Sequence, residues 1–208
     1  MTIQNCSIFD FLSHFSTGIA RQNRYRVEFR LPKGVNLAIG DIGVNPDATA
    51  GKIQGIESFF NAKGGVNIKC HTCQMPDRTM LTQDIKQNSA PFRVPYSASY
   101  MPVTFSFYTN SEMDAKDYFE VWQSAVVNLG TNTLNFYDEY VSDVKIYALD
   151  VTGQDAYSVT LYEAWPLTVG TTDFSYAASN QVISTTVTMT FKSWAPMYNE
   201  SKNASAPS

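Results

Sequence analysis

Short segments in which apolar and polar side chains alternate constrain this chain's fold more than any other feature of its sequence. In ISTTVTMTFK, one side of the pattern carries Ile183, Thr185, Val187, Met189 and Phe191, and the other carries Ser184, Thr186, Thr188, Thr190 and Lys192. Successive side chains of a β-strand point to opposite faces, so this alternation predicts a strand with one buried face and one wet, mostly uncharged face. RYRVEFRL, at residues 24–31, and VTFSFY, at residues 103–108, alternate in the same way, with Thr104 and Ser106 on the polar side of the latter.

One segment, DAKDYFEVWQSAVVNLG, instead carries its apolar residues at helical spacing. The predicted packing face contains Tyr118, Phe119, Trp122 and Val126, together with Ala115, Ala125 and Leu129. Asp114 lies near the expected start, and Gly130 is the expected C-terminal stop. VKIYALDV and AYSVTLYEAWP further along predict a hairpin. The pattern therefore favours a mainly antiparallel β domain with one flanking helix, closer to a sandwich or barrel than to an α/β enzyme.

The chain has 208 residues, of which 44% are hydrophobic, and this size predicts one domain spanning residues 1–208. Three segments fall outside the regular pattern. Residues 7–16 predict a short amphipathic helix, and residues 33–65 predict a Gly-rich surface insertion. Residues 196–208 predict a disordered polar tail.

The charge of the chain argues against a protein that grips nucleic acid. The formal net charge is −4, whereas phosphate binding depends on clustered Lys and Arg. Charged residues make up only 16% of the sequence, which suits a protein that buries much of its surface against copies or partners. We expect a soluble protein made in a cytoplasm, since neither a secretory signal nor a membrane span is apparent in the sequence.

KCHTCQMP, at residues 69–76, contains a C-x-x-C pair that raises the possibility of a metal or redox site. Zinc needs about four ligands, and the other candidates are His71, Cys6 and His14. If residues 66–74 form a regular strand, Cys70 and Cys73 leave opposite faces and cannot share a metal. A structural role for both thiols is therefore favoured over metal binding or redox chemistry.

Other catalytic patterns are equally weak. The chain has only two histidines, neither in a G-x-S-x-G context, and its glycines match no phosphate-binding loop. A solvated face is favoured over a calcium or glycosidase site for the acidic residues Asp138, Glu139, Asp143, Asp150 and Asp155. Pairing between strands or subunits is favoured over phosphate binding for Arg24, Arg26 and Arg30. The sequence predicts no catalytic residue, no cofactor and no metal.

The order of segments carries more information than any single motif. The succession MPDRTMLTQDIK, PFRVPYSASYMPVTFSFYT, DYFEVWQSAV, LNFYDEYVSDVKIYALD and VTLYEAWPLTVGTTDFSYAASNQVISTTVTMTFKSW resembles the tail tube protein family of contractile-tail bacteriophages. F-x-x-W-Q in the helix, E-A-W-P-x-x-V-G and the closing strand that ends at Trp194 are the most specific parts. The resemblance covers about residues 66–194 and the first strand.

This resemblance implies a two-sheet β fold with a flanking helix, assembled into hexameric rings whose strands form one continuous barrel. Such rings stack into an inner tube within a sheath, between baseplate and tail terminator proteins. The tape-measure protein and the DNA occupy the lumen without specific binding. The resemblance further implies a non-enzymatic virion protein, assembled in the host cytoplasm without membrane insertion and related to the type VI secretion tube protein.

Within that architecture, the uncharged strand faces are predicted to line the lumen. The candidate residues are Ser184, Thr186, Thr188, Thr190, Thr104 and Ser106. The insertion at 33–65 and the tail beyond Trp194 depart from compact family members. They leave two alternatives open: a baseplate protein that initiates the tube, or a type VI tube subunit.

Overall fold

The alternating segments form the strands of two antiparallel sheets. The computed structural model describes residues 8, 20–30, 32, 69–86, 91–111, 113–128, 132–175 and 182–197. The predicted helix at 7–16, except for Ile8, and the predicted insertion at 33–65 lie outside the described residues. The strands are β1 (Tyr25–Phe29), β2 (Cys70–Cys73), β3 (Thr79–Ile85), β4 (Phe92–Ser99), β5 (Val103–Tyr108), β6 (Val127–Asn128), β7 (Thr133–Leu134), β8 (Ser142–Leu149), β9 (Asp155–Val169), β10 (Ser184–Thr190) and β11 (Ser193–Met197). The helices are α1 (Asp114–Val126) and α2 (Tyr137–Tyr140).

Strand β9 is long enough to belong to both sheets. Its first part pairs with β8 and β11, and its last residues pair with β10, so the strand order runs β1-β8-β9-β10-β5-β2. Glu163, where the two parts meet, has a φ of 53°, which marks a local bend in the backbone. The mainly β, antiparallel class and the β8–β9 hairpin predicted from the sequence are confirmed.

The two ends of this strand order meet at a seam, which we define as the gap between β1 and β2. The Tyr25 hydroxyl of β1 donates a hydrogen bond of 2.9 Å to the Cys70 carbonyl oxygen of β2. Burial, followed by the nearby Cys70, raises the pKa of Tyr25 to about 12, so the phenol stays protonated and remains a donor. The contact across the seam is thus made by a side chain and not by a backbone ladder between β1 and β2.

Aromatic side chains fill the space between the sheets and α1. The Phe29 ring lies edge-on to Phe105, with centroids 5.2 Å apart, and also to Phe119 of the helix at 5.8 Å. Phe107 contacts Phe119 at 5.0 Å. Edge-to-face packing of this kind adds to the stabilisation from burial, so these rings tie β1, β5 and α1 into one core.

The packing face of α1 contains the predicted residues. Tyr118, Phe119 and Trp122 are at most 1% exposed, and Val126 is 8% exposed. The Trp122 indole N–H donates a 2.7 Å hydrogen bond to the Tyr140 carbonyl oxygen, which links α1 to α2. Neither of the helices described is long and apolar enough to cross a membrane.

The predicted helix end at Gly130 is wrong, because α1 ends at Val126 and Val127 is extended. Asn135 accounts for the earlier stop. Its backbone N–H donates to the Val126 carbonyl oxygen at 3.2 Å, and its side-chain amide donates to the Ala125 carbonyl oxygen at 2.9 Å. These bonds satisfy two carbonyls that end the helix without partners in the helix itself.

The predicted polar tail also begins later than residue 196. Pro196 and Met197 belong to β11, where they lie opposite Val159 and Ser158 of β9. Residues 198–208 lie outside the described part of the chain.

A β-bulge overturns the prediction that Cys70 and Cys73 leave opposite faces. Cys70 lies opposite Phe107 and Cys73 lies opposite Phe105, with the register shift between Cys70 and Thr72. Phe105 and Phe107 are both core residues, so the extra residue of the bulge returns Cys73 to the core side. Both thiols are free.

Burial governs the chemistry of these thiols. It raises the pKa of Cys70 to about 12. Burial, followed by the nearby Cys70, also raises the pKa of Cys73 far above its usual value. The described residues contain no group of three or more His, Cys, Asp or Glu side chains placed to hold a metal ion.

We predict that Trp122→Ala lowers the free energy of unfolding by roughly 3–5 kcal/mol, the cost typical of deleting a large buried aromatic. The loss of the indole bond to Tyr140 adds to the cavity left in the core. Urea denaturation followed by circular dichroism measures the change. The matched control is Phe174→Ala, which truncates a ring that is 73% exposed and should change stability by less than about 0.5 kcal/mol. Equal stability of the two variants would contradict the packing described here.

We also predict that Cys70 and Cys73 react slowly with an aromatic disulfide reagent at pH 8, because only the thiolate attacks and both pKa values are raised. In urea their pKa values return to about 8.5, and both thiols should react quickly. A Cys6→Ser background restricts the signal to this pair. Rapid reaction of the folded protein at pH 8 would contradict the burial of the two thiols.

Candidate functional site

One outer face of the sheet that contains β10 carries mostly hydroxyl side chains. Along β10, Ser184 and Thr186 are exposed, and Thr188 and Thr190 are half-buried. Thr185, Val187 and Met189 point the other way and are fully buried. The Thr185 hydroxyl lies 3.1 Å from that of Thr109, so the one polar member of the inner row has a hydrogen-bond partner.

Strand register extends this face across four strands. Thr186 lies opposite Ser106 of β5, and Ser106 lies opposite Thr72 of β2. The hydroxyl oxygens of Ser106 and Thr186 are 3.4 Å apart. A second row joins Thr104 of β5 and Thr188 of β10.

The second row continues to Thr168 of β9, which lies opposite Thr188. The structure therefore groups six residues on one surface, which we call the hydroxyl face: Thr72, Thr104, Ser106, Thr168, Thr186 and Thr188. Thr190 lies opposite Trp165 and so marks its margin, while Ser184 lies opposite Tyr108 at the other end.

Sequence reasoning missed two members of this face, Thr72 and Thr168. The bulge in β2 shifts the alternation before Thr72. Thr168 follows both the β9 bend and the register shift opposite Thr188 and Met189. Period-two patterns lose their phase at such irregularities, so alternation alone gave no signal for either residue.

The paired positions of the hydroxyl face carry no Lys, Arg, Asp or Glu among the described residues. A charged pair stands at its edge, where the Lys192 ammonium lies 2.8 Å from the Glu163 carboxylate. The hydrogen bond from Lys192, followed by that from Tyr137, holds the pKa of Glu163 below its usual range. This surface presents weak, replaceable hydrogen-bond groups and no concentrated charge.

The acidic residues considered above as a binding site are dispersed. The Asp155 carboxylate pairs with Arg26 at 3.1 Å, and Asp143 accepts the Glu163 backbone N–H at 3.4 Å. The Asp150 side chain accepts the Val151 backbone N–H in the β8–β9 turn. The prediction that Arg26 acts in pairing between strands is confirmed by its contact with Asp155.

Glu28 and Tyr147 complete the polar surface around Arg26. The Arg26 guanidinium lies 4.4 Å above the Tyr147 ring. The Tyr147 hydroxyl donates a 3.1 Å hydrogen bond to Glu28. Burial, followed by the charge of Glu28, raises the pKa of Tyr147. The charges on this strand face are thus largely balanced by one another.

Strands β3 and β4 form a two-stranded arm that has no buried face. Every residue of β3 is exposed. Large apolar side chains exposed on the arm are Met80, Leu81, Ile85, Phe92 and Tyr96. An isolated two-stranded hairpin is marginally stable in water, so such an arm gains stability when something covers it.

The base of the arm is clamped to the body by Arg78 and Trp194. The guanidinium of Arg78 lies 4.5 Å from the centre of the Trp194 ring and donates a 3.0 Å hydrogen bond to the Trp194 carbonyl oxygen. The Trp194 indole N–H donates back to the Asp77 carbonyl oxygen at 2.9 Å. These reciprocal contacts hold Asp77 and Arg78, the residues that precede β3, against Trp194 of β11.

Comparison with solved structures identifies the fold. A chain of the sheath/tube terminator of an extracellular contractile injection system, PVC, in its extended state, is 12% identical, with a TM-score of 0.57 over 86% of this chain and 97% of that one. A chain of the PVC sheath-tube complex is 11% identical, with a TM-score of 0.55 over 86% and 91% of the two chains. A chain of the anti-feeding prophage baseplate is 13% identical, with a TM-score of 0.55 over 86% and 95%.

No curated protein matches the sequence. A sequence profile of the family described as Phage tail tube protein matches residues 20–197, which include all the described strands and both helices. That family is structural, which agrees with a surface built of hydroxyl rows and balanced ion pairs. The chain therefore belongs to the phage tail tube protein family and is a structural protein, not an enzyme.

Proposed function

We propose that this protein is a tail tube subunit that assembles into hexameric rings, and that these rings stack into the inner tube through which phage DNA passes. The observation that carries the proposal is the arm formed by β3 and β4. Its seven paired positions bury no side chain of β3, while apolar groups such as Phe92 and Tyr96 remain exposed. A second copy of the chain supplies the cover that the arm lacks.

The unpaired edges of the two sheets support the same conclusion. Within the described residues, β1 pairs only with β8 and β2 pairs only with β5. Exposed edges template uncontrolled pairing, and closure of a barrel removes them. A ring in which each subunit contacts the next along these edges covers them without help from another protein.

The hydroxyl face suits the lumen of such a tube. DNA that must slide past a wall is slowed by Lys and Arg, because each phosphate contact adds attraction. Thr104, Ser106, Thr186 and Thr188 instead offer hydroxyls that exchange hydrogen bonds readily with water. We therefore assign these residues, with Ser184 and Thr190 at the ends, to the channel wall.

The partners follow from a tube in a contractile tail. The solved chains of similar fold come from a sheath-tube complex, a sheath/tube terminator and a baseplate. We propose that the outer surface of this tube contacts a sheath, and that its two ends contact baseplate and terminator proteins. The tape-measure protein and DNA occupy the lumen without specific binding, and the tail is assembled in the host cytoplasm.

A tube-initiating baseplate protein is the second candidate. The anti-feeding prophage baseplate chain has a TM-score of 0.55, equal to that of the PVC sheath-tube chain. An initiator forms one ring and does not stack upon itself. The two roles therefore differ in whether rings of the purified protein stack on one another.

We predict that the purified protein forms rings and stacked tubes when its concentration is raised, as seen by negative-stain electron microscopy. Phe92→Ser and Tyr96→Ser should each reduce assembly, because they remove apolar contacts from the arm without disturbing the core. Val151→Ser is the matched control, since Val151 is an exposed apolar residue in the β8–β9 turn. Circular dichroism verifies that each variant remains folded.

Isolated rings that never stack would assign the protein to the initiator role. Folded monomers at every concentration would contradict self-assembly. Equal assembly by the arm variants and the wild type would contradict the role given to β3 and β4.

We predict that Thr186→Lys and Thr188→Lys leave tube assembly intact and slow DNA ejection, because the new ammonium groups attract phosphates. Higher salt should relieve the delay, since screening weakens the attraction. The rate of triggered ejection from phage particles measures the effect. Thr186→Val removes the hydroxyl without adding charge, and Gln154→Lys adds the same charge at an exposed turn residue. Normal ejection at low salt by both Thr186→Lys and Thr188→Lys would contradict the lumen assignment.

A further inference from the structure

A small apolar projection follows α1, and we call Leu134 and Phe136 the knob. Their side chains are 76% and 81% exposed. Asn135, between them, is fixed through its two hydrogen bonds to the Ala125 and Val126 carbonyl oxygens. The short β6–β7 ladder, in which Val127 lies opposite Leu134, holds the same turn.

Rigid presentation distinguishes the knob from an ordinary exposed apolar residue. A turn tied to the end of a buried helix loses little conformational entropy when it binds. Large apolar side chains that are exposed on such a support are typical of protein interfaces. The knob is therefore built to insert into a complementary pocket.

The seam holds a cavity of about 710 Å³. Its lining includes the apolar or weakly polar side chains Tyr25, Cys73, Met75, Ile146 and Ala148. This volume falls within the range of about 300–1,000 Å³ that is typical of pockets for compact organic groups. The cavity is therefore large enough for the two side chains of the knob.

The knob and the seam cavity are also complementary in charge. Arg21 and Arg24 also line the cavity, and neither has an ion pair among the described residues. One terminal guanidinium nitrogen of Arg24 is buried with no hydrogen-bond partner. A buried donor left without a partner is costly, and a carboxylate is the acceptor best suited to guanidinium.

Carboxylates lie beside the knob. Asp138 and Glu139 form the first turn of α2, directly after Phe136. Within the described part of the chain, neither has an ion pair. The knob thus brings acidic groups, and the cavity brings unpaired basic ones.

The knob and the start of β2 lie at opposite ends of α1. Lys69, directly before β2, lies 3.5 Å from Asp114 at the start of α1. The knob follows the other end of this 13-residue helix, which is about 20 Å long at 1.5 Å per residue. In the proposed assembly, a second copy of the chain brings the two surfaces together.

We propose that Leu134 and Phe136 of one copy insert into the seam cavity of a neighbouring copy, where Asp138 and Glu139 meet Arg21 and Arg24. Two different surfaces meet in this contact, so its repetition generates a ring or a stack, as expected of a heterologous interface. The inference rests on the proposed self-assembly and names the surfaces that carry it.

The test compares assembly of Phe136→Ser with that of Phe174→Ser, which removes a similarly exposed ring elsewhere, 73% exposed against 81%. We expect Phe136→Ser to raise the concentration at half-assembly by about tenfold or more, as for an interface hot spot, and Phe174→Ser to leave it unchanged. Sedimentation velocity measures assembly. Because Phe136 is 81% exposed, the monomer should keep its fold, which circular dichroism verifies.

A charge exchange tests the pairing itself. Asp138→Arg and Arg24→Asp should each weaken assembly, and the double variant should recover a large part of the loss. If the losses of assembly caused by the two single variants simply add in the double variant, the pairing is overturned. A benzophenone amino acid at position 136 should cross-link to residues 21–25 or 71–75 of a second copy.

The outcomes separate this inference from the proposed function. If the wild type assembles and Phe136→Ser assembles equally well, only the knob contact is overturned. If the wild type stays monomeric and position 136 cross-links to no second copy, both proposals fail. A cross-link from position 136 in whole virions to a different protein, with none to a second copy, would also overturn the knob contact.

Discussion

The bend of β9 is the constraint on which the rest of the structure depends. One strand of 15 residues serves two sheets, so the direction change near Glu163 sets how those sheets face each other. Phe29, Phe105 and Phe107 fill the space that results, and Phe119 closes it from the helix. β11 follows β10 in the chain and continues its pairing along β9, on the edge opposite β8, so the bend lies between the segments paired with these two strands.

The bend also places polar groups where they stabilise it. Glu163 pairs with Lys192 just after β10, and its backbone N–H donates to the Asp143 carboxylate of β8. A non-glycine residue with positive φ is strained, and such strain persists where surrounding contacts hold the backbone. The side-chain and backbone bonds of Glu163 join the two sheets at the point where the chain turns between them.

The surface divides into regions of different chemistry. The hydroxyl face carries no charge at its paired positions, while Arg26 and Asp155 balance each other on another part of the sheet. The arm, the seam and the knob are the regions where apolar groups or unpaired charges remain. In an isolated monomer these regions stay exposed to water, whereas in a repeating assembly other copies can cover them.

The sequence by itself determined the strand alternation, the packing face of α1 and the family resemblance, because each depends on local periodicity or on the order of segments. The alternation in β10 placed Thr186 and Thr188 outside and Val187 and Met189 inside. Only the tertiary structure decided where the alternation of inward and outward side chains shifts by one residue. The β2 bulge returned Cys73 to the core side, and the bonds of Asn135 ended α1 at Val126. It also brought Thr72 and Thr168 into the hydroxyl face and Tyr25 to Cys70 across the seam. These features arise from contacts between residues far apart in the chain, and local periodicity carries no information about such contacts.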